Sequence, residues 1–397
     1  MRTMKQLRTS KALPRRDARG FSLVEILVGV AIGVVGMLVI FKTIATWDTH
    51  TRSTSAGGDA QSAGSLAMFN LERDIKQAGL GFMSIGPAVT APPNALGCAV
   101  NGVDTQTGRN LAFTMVPVQI VVTPGQPDAI NVLYGNSPFF VSEEKFTAST
   151  GLSKTLDRRN GFKPGDVAIA AVGANCNLLQ VTDDTNSDGK TIAHGDTVSY
   201  SNFYADPPAP AVARFNSAAL PPLASVGTIY SLGPTPRRDA WAVDATRGNL
   251  TSTELFTGAP AFVVGEGVVN MKALYGLDTN ADRIVDRWTN VAPTTPALWA
   301  QVRSVRVAML VRSRQFERTA DQSASGVPTG VTLNVPTWSG DSLLPAVPNS
   351  AFVMTNANGS ADSFGPNDPN PNNWRFYRYR VYEKEIPLRN VIWGMTP

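Results

Sequence analysis

Few residues in this chain have the types and spacing to do chemistry. Ser342 lies in Gly340-Asp341-Ser342-Leu343, a block in which a serine can act as nucleophile, and Ser142-Glu143-Glu144-Lys145 has the spacing of a Ser-x-x-Lys dyad. A serine attacks only beside a base. Hydrolases built on the first block have it near the N-terminus with a histidine downstream, whereas the two histidines here, His50 and His194, both lie upstream. The second block has none of its partner motifs and reads as a solvated charge run. No catalytic residue is expected.

Oxygen ligands are better represented. Asp184, Asn186, Asp188 and Gly189 match the opening half of an EF-hand loop, with hard ligands at alternate positions and glycine at the sharp turn. The twelfth position is Gly195, so the bidentate glutamate is missing. A polar hairpin turn explains this stretch more simply, with calcium as the alternative. Asp278, Asn280, Asp282 and Asp286 repeat the spacing with Arg283 in the glycine position. Two histidines and two cysteines do not suit a His/Cys metal site. No metal and no cofactor is assigned.

Composition bounds the partners. With 43% hydrophobic and 17% charged residues among 397, the chain can bury a sizeable core. Its pI of about 9.1 invites a nucleic-acid reading until the charge is located. Residues 1–20 hold seven basic residues against Asp17 alone, leaving 28 basic and 30 acidic residues in 21–397. Arg375, Tyr377, Arg378, Tyr379 and Arg380 could form a stacking surface, but alternation in an ordinary strand explains them equally well. No nucleic-acid partner is expected.

The basic stretch is followed by an apolar run from Phe21 to Phe41 that keeps one acid, Glu25. A carboxylate in a bilayer costs roughly 2.5–3.5 kcal/mol. A secretory signal would be shorter and would end in a small-residue cleavage site, which the continuation Lys42-Thr43-Ile44-Ala45-Thr46 does not supply. A plain anchor accounts for the length and, by the positive-inside rule, for a cytoplasmic basic flank. It leaves Glu25 unexplained. Gly29, Gly33 and Gly36 lie on or near one helix face, where they permit close helix approach or reflect the ordinary glycine content of membrane helices.

The order of basic leader, Gly20, Phe21-Ser22-Leu23-Val24-Glu25 and long apolar helix resembles the class III signal of type IV prepilins and pseudopilins. The resemblance implies that a prepilin peptidase of the inner membrane cuts between Gly20 and Phe21 and methylates Phe21. Glu25 then becomes the fifth residue of the mature chain. Its carboxylate can neutralise the cationic Phe21 amine of a neighbouring subunit where water is scarce, an assembly contact costly alone and paired in a filament.

Beyond the membrane, Met68, Leu71, Ile75 and Ala78 recur at spacings of three and four, and Gly79 supplies a stop. The pattern predicts one helix from Phe21 to Ala78, softened near Gly57 and Gly58. Pro87, Pro92 and Pro93 exclude helix after it, and β-rich runs at 111–122, 128–135, 165–172, 177–184 and 196–203 follow. In residues 302–313, Val305, Val307, Met309 and Val311 alternate with Arg306 and Arg312, predicting a strand with one buried face. The fold class is α+β: a long N-terminal helix, its first half in the membrane, packed on a C-terminal antiparallel β-sheet domain with long loops. The division is a leader over 1–20, a helix over 21–79 and a periplasmic or extracellular β-rich domain over 80–397. Cys98 and Cys176 would reach the oxidising side, making them a disulfide candidate, with two buried free thiols as the alternative.

Segments 70–79, 161–172, 265–280, 299–313 and 377–393 resemble the PilW group of minor pilins. That resemblance implies a non-enzymatic, low-abundance subunit that primes pilus assembly and sits at the tip with other minor pilins and a large tip adhesin, on a filament of major pilin. A type II secretion minor pseudopilin is the rival inside the superfamily. An unprocessed, singly anchored periplasmic binding protein is the rival outside it. The mature N-terminus separates the readings: protein from a host with prepilin peptidase should show an N-terminal methyl-phenylalanine at Phe21 by mass spectrometry. An intact Met1 terminus would rule out processing.

Overall fold

The computed structural model describes residues 20–83, 95–139, 143–158, 161–183, 189–195, 199–218, 220, 223, 226–317, 330–343 and 346–394. Contacts divide the chain into two compact units, Met1–Ser55 and Ala56–Pro397. Helix α1 (Leu23–Gln77) starts in the first and ends in the second. It is continuous through Gly57 and Gly58, although each glycine costs about 1 kcal/mol relative to alanine. It stops where Gly79 turns to a φ of +83°, a conformation that favours glycine.

Among the described residues of the second unit the strands form four sheets. The largest contains β1 (Ala99–Asp104), β2 (Arg109–Thr114), β5 (Glu144–Ser149), β6 (Ser153–Leu156), β7 (Val167–Val172), β8 (Asn175–Gln180), β9 (Thr191–Ala193) and β12 (Gly227–Gly233), in the order β2-β1-β8-β7-β12-β5-β6-β9. The second contains β3 (Val118–Val121), β4 (Ala129–Tyr134), β13 (Arg237–Asp244), β14 (Asn249–Glu254) and β15 (Phe262–Glu266), ordered β15-β14-β13-β4-β3. The third, β17-β16-β18-β19, is made of β16 (Val268–Leu277), β17 (Arg287–Thr289), β18 (Val302–Arg312) and β19 (Tyr379–Pro387). A two-stranded ribbon pairs β10 (Ser199–Asn202) with β11 (Ala209–Val212). Short helices α2 (Pro296–Trp299) and α3 (Arg389–Gly394) flank β18 and β19 in sequence. The strand ladders are antiparallel except for β1 beside β8, which run parallel.

Two expectations need correction. Residues 111–122 are not one strand: β2 ends at Thr114, β3 begins at Val118, and the two join different sheets. Pro117, which has no N–H to donate, lies in the break. Strand β18 is covered on both faces. Val305, Val307, Met309 and Val311 enter the main core, while Ala308 and Leu310 pack with Trp338, Phe352, Met354 and Trp374 in a second core. The covering residues come from loop-rich segments after β18, and the outward arginines are roofed as well. Arg306 stacks 4.0 Å from the Trp288 ring and Arg312 5.0 Å from that of Tyr377.

The second half of α1 is seated by small residues. A Cβ on Gly64 would overlap the Tyr382 ring, and one on Gly265 would come within 2.8 Å of the Ala67 Cβ. This approach buries the expected stripe: Leu71, Ile75 and Ala78 are fully covered and Met68 nearly so. Asp74 is buried beside them. Desolvation, reinforced by the neighbouring charge of Asp239, raises its carboxyl to about 6. Asp239 is itself held by Arg237 through two hydrogen bonds at 3.1 and 2.8 Å and by the Tyr134 hydroxyl at 3.3 Å.

Cys98 and Cys176 are joined by a disulfide with their Cα atoms 6.1 Å apart and a sequence separation of 78. Val100 pairs with Cys176 in the β1–β8 register, so the bond staples the parallel joint.

Two predictions follow from this packing. Replacing both cysteines by alanine should lower unfolding stability by about 4 kcal/mol in the chain-entropy account of so long a loop, measured by guanidinium unfolding under oxidising conditions. The Asp74 carboxyl is raised above its unfolded value. Its contribution is therefore fully present below about pH 4 and is lost as pH rises through about 6. Asp74→Asn should thus stabilise the domain by about 1–2 kcal/mol at pH 7.5, after allowance for screening, and the gain should vanish by pH 4.

Candidate assembly surface

At its N-terminal end α1 begins with Ser22, whose hydroxyl accepts the Val24 N–H at 3.3 Å and whose carbonyl accepts Glu25 N–H at 3.0 Å. Ser22 is therefore the cap, and Phe21 stands just outside the helix, 80% exposed. Leu23–Ile44 is apolar throughout apart from Glu25, Thr43 and Lys42, with mean hydropathy 2.7 over its best window and no part of that window buried. Twenty-two residues at 1.5 Å each span roughly 33 Å, enough for a bilayer core. Glu25 lies in the first turn, where the helix dipole favours an acid. Among the described residues no group donates to its carboxylate. A Cβ at Gly29, Gly33 or Gly36 would meet open space, so contacts within the described chain do not require glycine at these positions.

The other end of α1 is held by elements more than 300 residues downstream. Lys384 on β19 donates to Glu72 Oε2 at 2.7 Å, and Lys76, one turn along the helix, pairs with Oε1 at 2.5 Å. The hydrogen bond from Lys384, then that from Lys76, holds the Glu72 carboxyl below its ordinary value. Arg380 donates to the Gln61 side chain at 2.6 Å, and the Tyr382 hydroxyl to the Gln61 carbonyl at 3.0 Å. Asn390 of α3 donates to the carbonyls of Gln77 and Ala78, both at 3.0 Å, satisfying acceptors at the helix C-terminus. Sequence reasoning missed this clamp. The i,i+4 spacing of Glu72 and Lys76 allows a local pair, but nothing local announces Lys384.

The remaining singled-out residues do other things. Ser342 ends a short 3₁₀ turn and donates to the Ser339 carbonyl, while Asp341 accepts from the Trp338 N–H. Of the second serine block, Ser142 lies outside the described residues, and Glu143 accepts from the Tyr230 hydroxyl at 3.2 Å. Asp184, Asn186 and Asp188 also lie outside the described residues. Asp278 is buried and accepts from Arg303 Nε and the Arg283 N–H, both at 3.0 Å. Asp286 takes bonds from Thr279, and Asp282 from the Ile284 N–H. Among the described residues no group of three or more His, Cys, Asp or Glu converges to hold a metal. The terminal basic residues are engaged as well: Arg375 forks onto Asp362, Arg378 pairs with Glu317, and Tyr377 donates to the Pro371 carbonyl.

Two family models match stretches of this chain. A family described as type IV pilus-assembly protein W, PilW, matches residues 246–390, a stretch running from just before β14 into α3 and containing the whole third sheet. The prokaryotic N-terminal methylation motif matches residues 15–41, which bracket Gly20, Phe21 and Glu25. Neither a curated protein nor a solved structure matches the chain. The methylation motif at the head of a membrane-length helix, and PilW similarity in the strands that clamp the other end of that helix, together support a PilW-like, prepilin-type protein of the type IV pilus.

Proposed function

We propose that this pilus-related minor pilin is a structural, non-enzymatic subunit that primes pilus assembly and resides at or near the tip. Its division is a leader at 1–20, a helix at 21–79 and a globular domain at 80–397. Prepilin peptidase removes the leader between Gly20 and Phe21 and methylates Phe21. The helix holds the protein in the inner membrane, leader inward and domain periplasmic, until it joins other minor pilins, the major pilin and a tip adhesin at the cell surface.

The observation that carries the reading is Glu25. It is an acid in the first turn of a membrane-length apolar helix, four residues from Phe21, and no group among the described residues donates to it. A carboxylate is costly in lipid and stabilising beside an opposite charge in the same low dielectric. Cutting before Phe21 creates such a charge on each subunit, so each Glu25 finds its partner on a neighbour. The exposed apolar side chains from Leu23 to Ile44 exchange lipid for other helices in the same step.

Glu25→Ala should keep membrane insertion and leader cleavage, since the scissile bond precedes it, and should be depleted from sheared pili. Fractionation with an antibody to the globular domain measures both. A variant that enters pili at normal levels would show that Glu25 has another role.

A further inference from the structure

A cavity of about 260 Å³ lies among the β5–β6 hairpin, strands β7 and β8 and residues 216–218, 220 and 223. At roughly 30 Å³ per water it has the space of about nine waters, a volume for a small molecule. Its walls are largely aliphatic, with Leu179 and Leu223 among them, and the 57% exposed Leu152 brings the lining to the surface.

One charge lies in this apolar wall. Lys154, only 3% exposed, donates from Nζ to the Thr150 carbonyl at 3.3 Å and to His194 Nε2 at 3.2 Å. An ammonium has three N–H groups, and the third has no acceptor among the described residues. The Phe146 ring lies 5.7 Å from the amine, and among the described residues no carboxylate is paired with it. Burial lowers the amine to about 8, and burial with the Lys154 charge lowers His194 to about 4. At pH 7 the pair therefore carries a single positive charge, on Lys154, that no acid among the described residues neutralises. Buried charges are ordinarily paired.

We propose that this cavity binds a monocarboxylate with a short aliphatic chain, its carboxylate pairing with Lys154 and its chain lying against Leu179 and Leu223. The charge supplies the missing anion contact, and the leucines select against strongly polar acids. This site is independent of the filament contacts at Glu25.

Hexanoate and 1-hexanol, with the full chain in lipid nanodiscs and empty nanodiscs as reference, provide the test by ligand-observed NMR at pH 7. Hexanoate should bind about tenfold or more tightly than 1-hexanol, a difference of about 1.4 kcal/mol. Lys154→Met should abolish that preference while leaving 1-hexanol binding unchanged. Ala218→Trp, at an exposed lining position, should block both ligands without moving the thermal midpoint. Equal affinity for the two ligands in the wild type, hexanoate binding no greater than to empty nanodiscs, or hexanoate binding that survives Lys154→Met would each overturn the proposal.

Discussion

Burial of one helical stripe governs the second unit. Leu71 and Ile75 have no exposed surface, and each contributes about 1.5–3 kcal/mol when fully taken from water. That burial requires the helix to approach the sheets closely, which is why Gly64 faces the Tyr382 ring and Ala67 faces Gly265. The ion pairs around Glu72 are partly exposed and contribute less than the apolar contacts they border. Their value is directional: Lys384 on one carboxylate oxygen sets how far the helix slides along β19, while Lys76, on the helix itself, holds the other oxygen. Packing supplies the energy and the charged rim supplies the register.

Buried ions work in the same way elsewhere. Lys272 and Asp128, each about 1% exposed at the side chain, meet at 3.0 Å, and the second Asp128 oxygen takes the Ala273 N–H at 3.0 Å. The bond ties β16 to the approach to β4, in a different sheet. Arg303 and Asp278 likewise join the start of β18 to the end of β16. An apolar pair could stabilise either place as well, but breaking one partner leaves an uncompensated charge, so such pairs tolerate few alternative alignments.

Much of the helix was legible in the sequence because its signals are local. Residues 68–78 show the helical period, Gly79 ends it, and the membrane-length run needs no tertiary information. Strands β7 and β18 were legible from β-branched runs. What failed was whatever depends on residues far away. Apolar alternation continues past Pro117, so nothing near 111–122 says that β2 and β3 belong to different sheets. Arg306 and Arg312 signal a solvent face in β18, yet Trp288 and Tyr377 roof them. With two cysteines the pairing options are few, but that they would staple a parallel joint depends on β1 lying beside β8, more than 70 residues away. The site divides similarly: Glu25 stands out by type against its neighbours, whereas Lys384 is one more charged residue until β19 is laid against the helix.

The clamp also dictates a folding order. Residues 61–78 are synthesised well before Tyr382, Lys384 and Asn390, which cover and cap them from more than 300 residues downstream. Closing a loop of more than 300 residues adds little to its equilibrium cost, since that cost grows only logarithmically with length, but it delays the contact. High contact order slows folding, and during the delay the Leu71 and Ile75 stripe is bare to solvent. The third sheet cannot finish before it either, because β19 is its edge strand. The stripe-bearing half of the helix therefore stays uncovered until β19 arrives to complete both the sheet and the clamp.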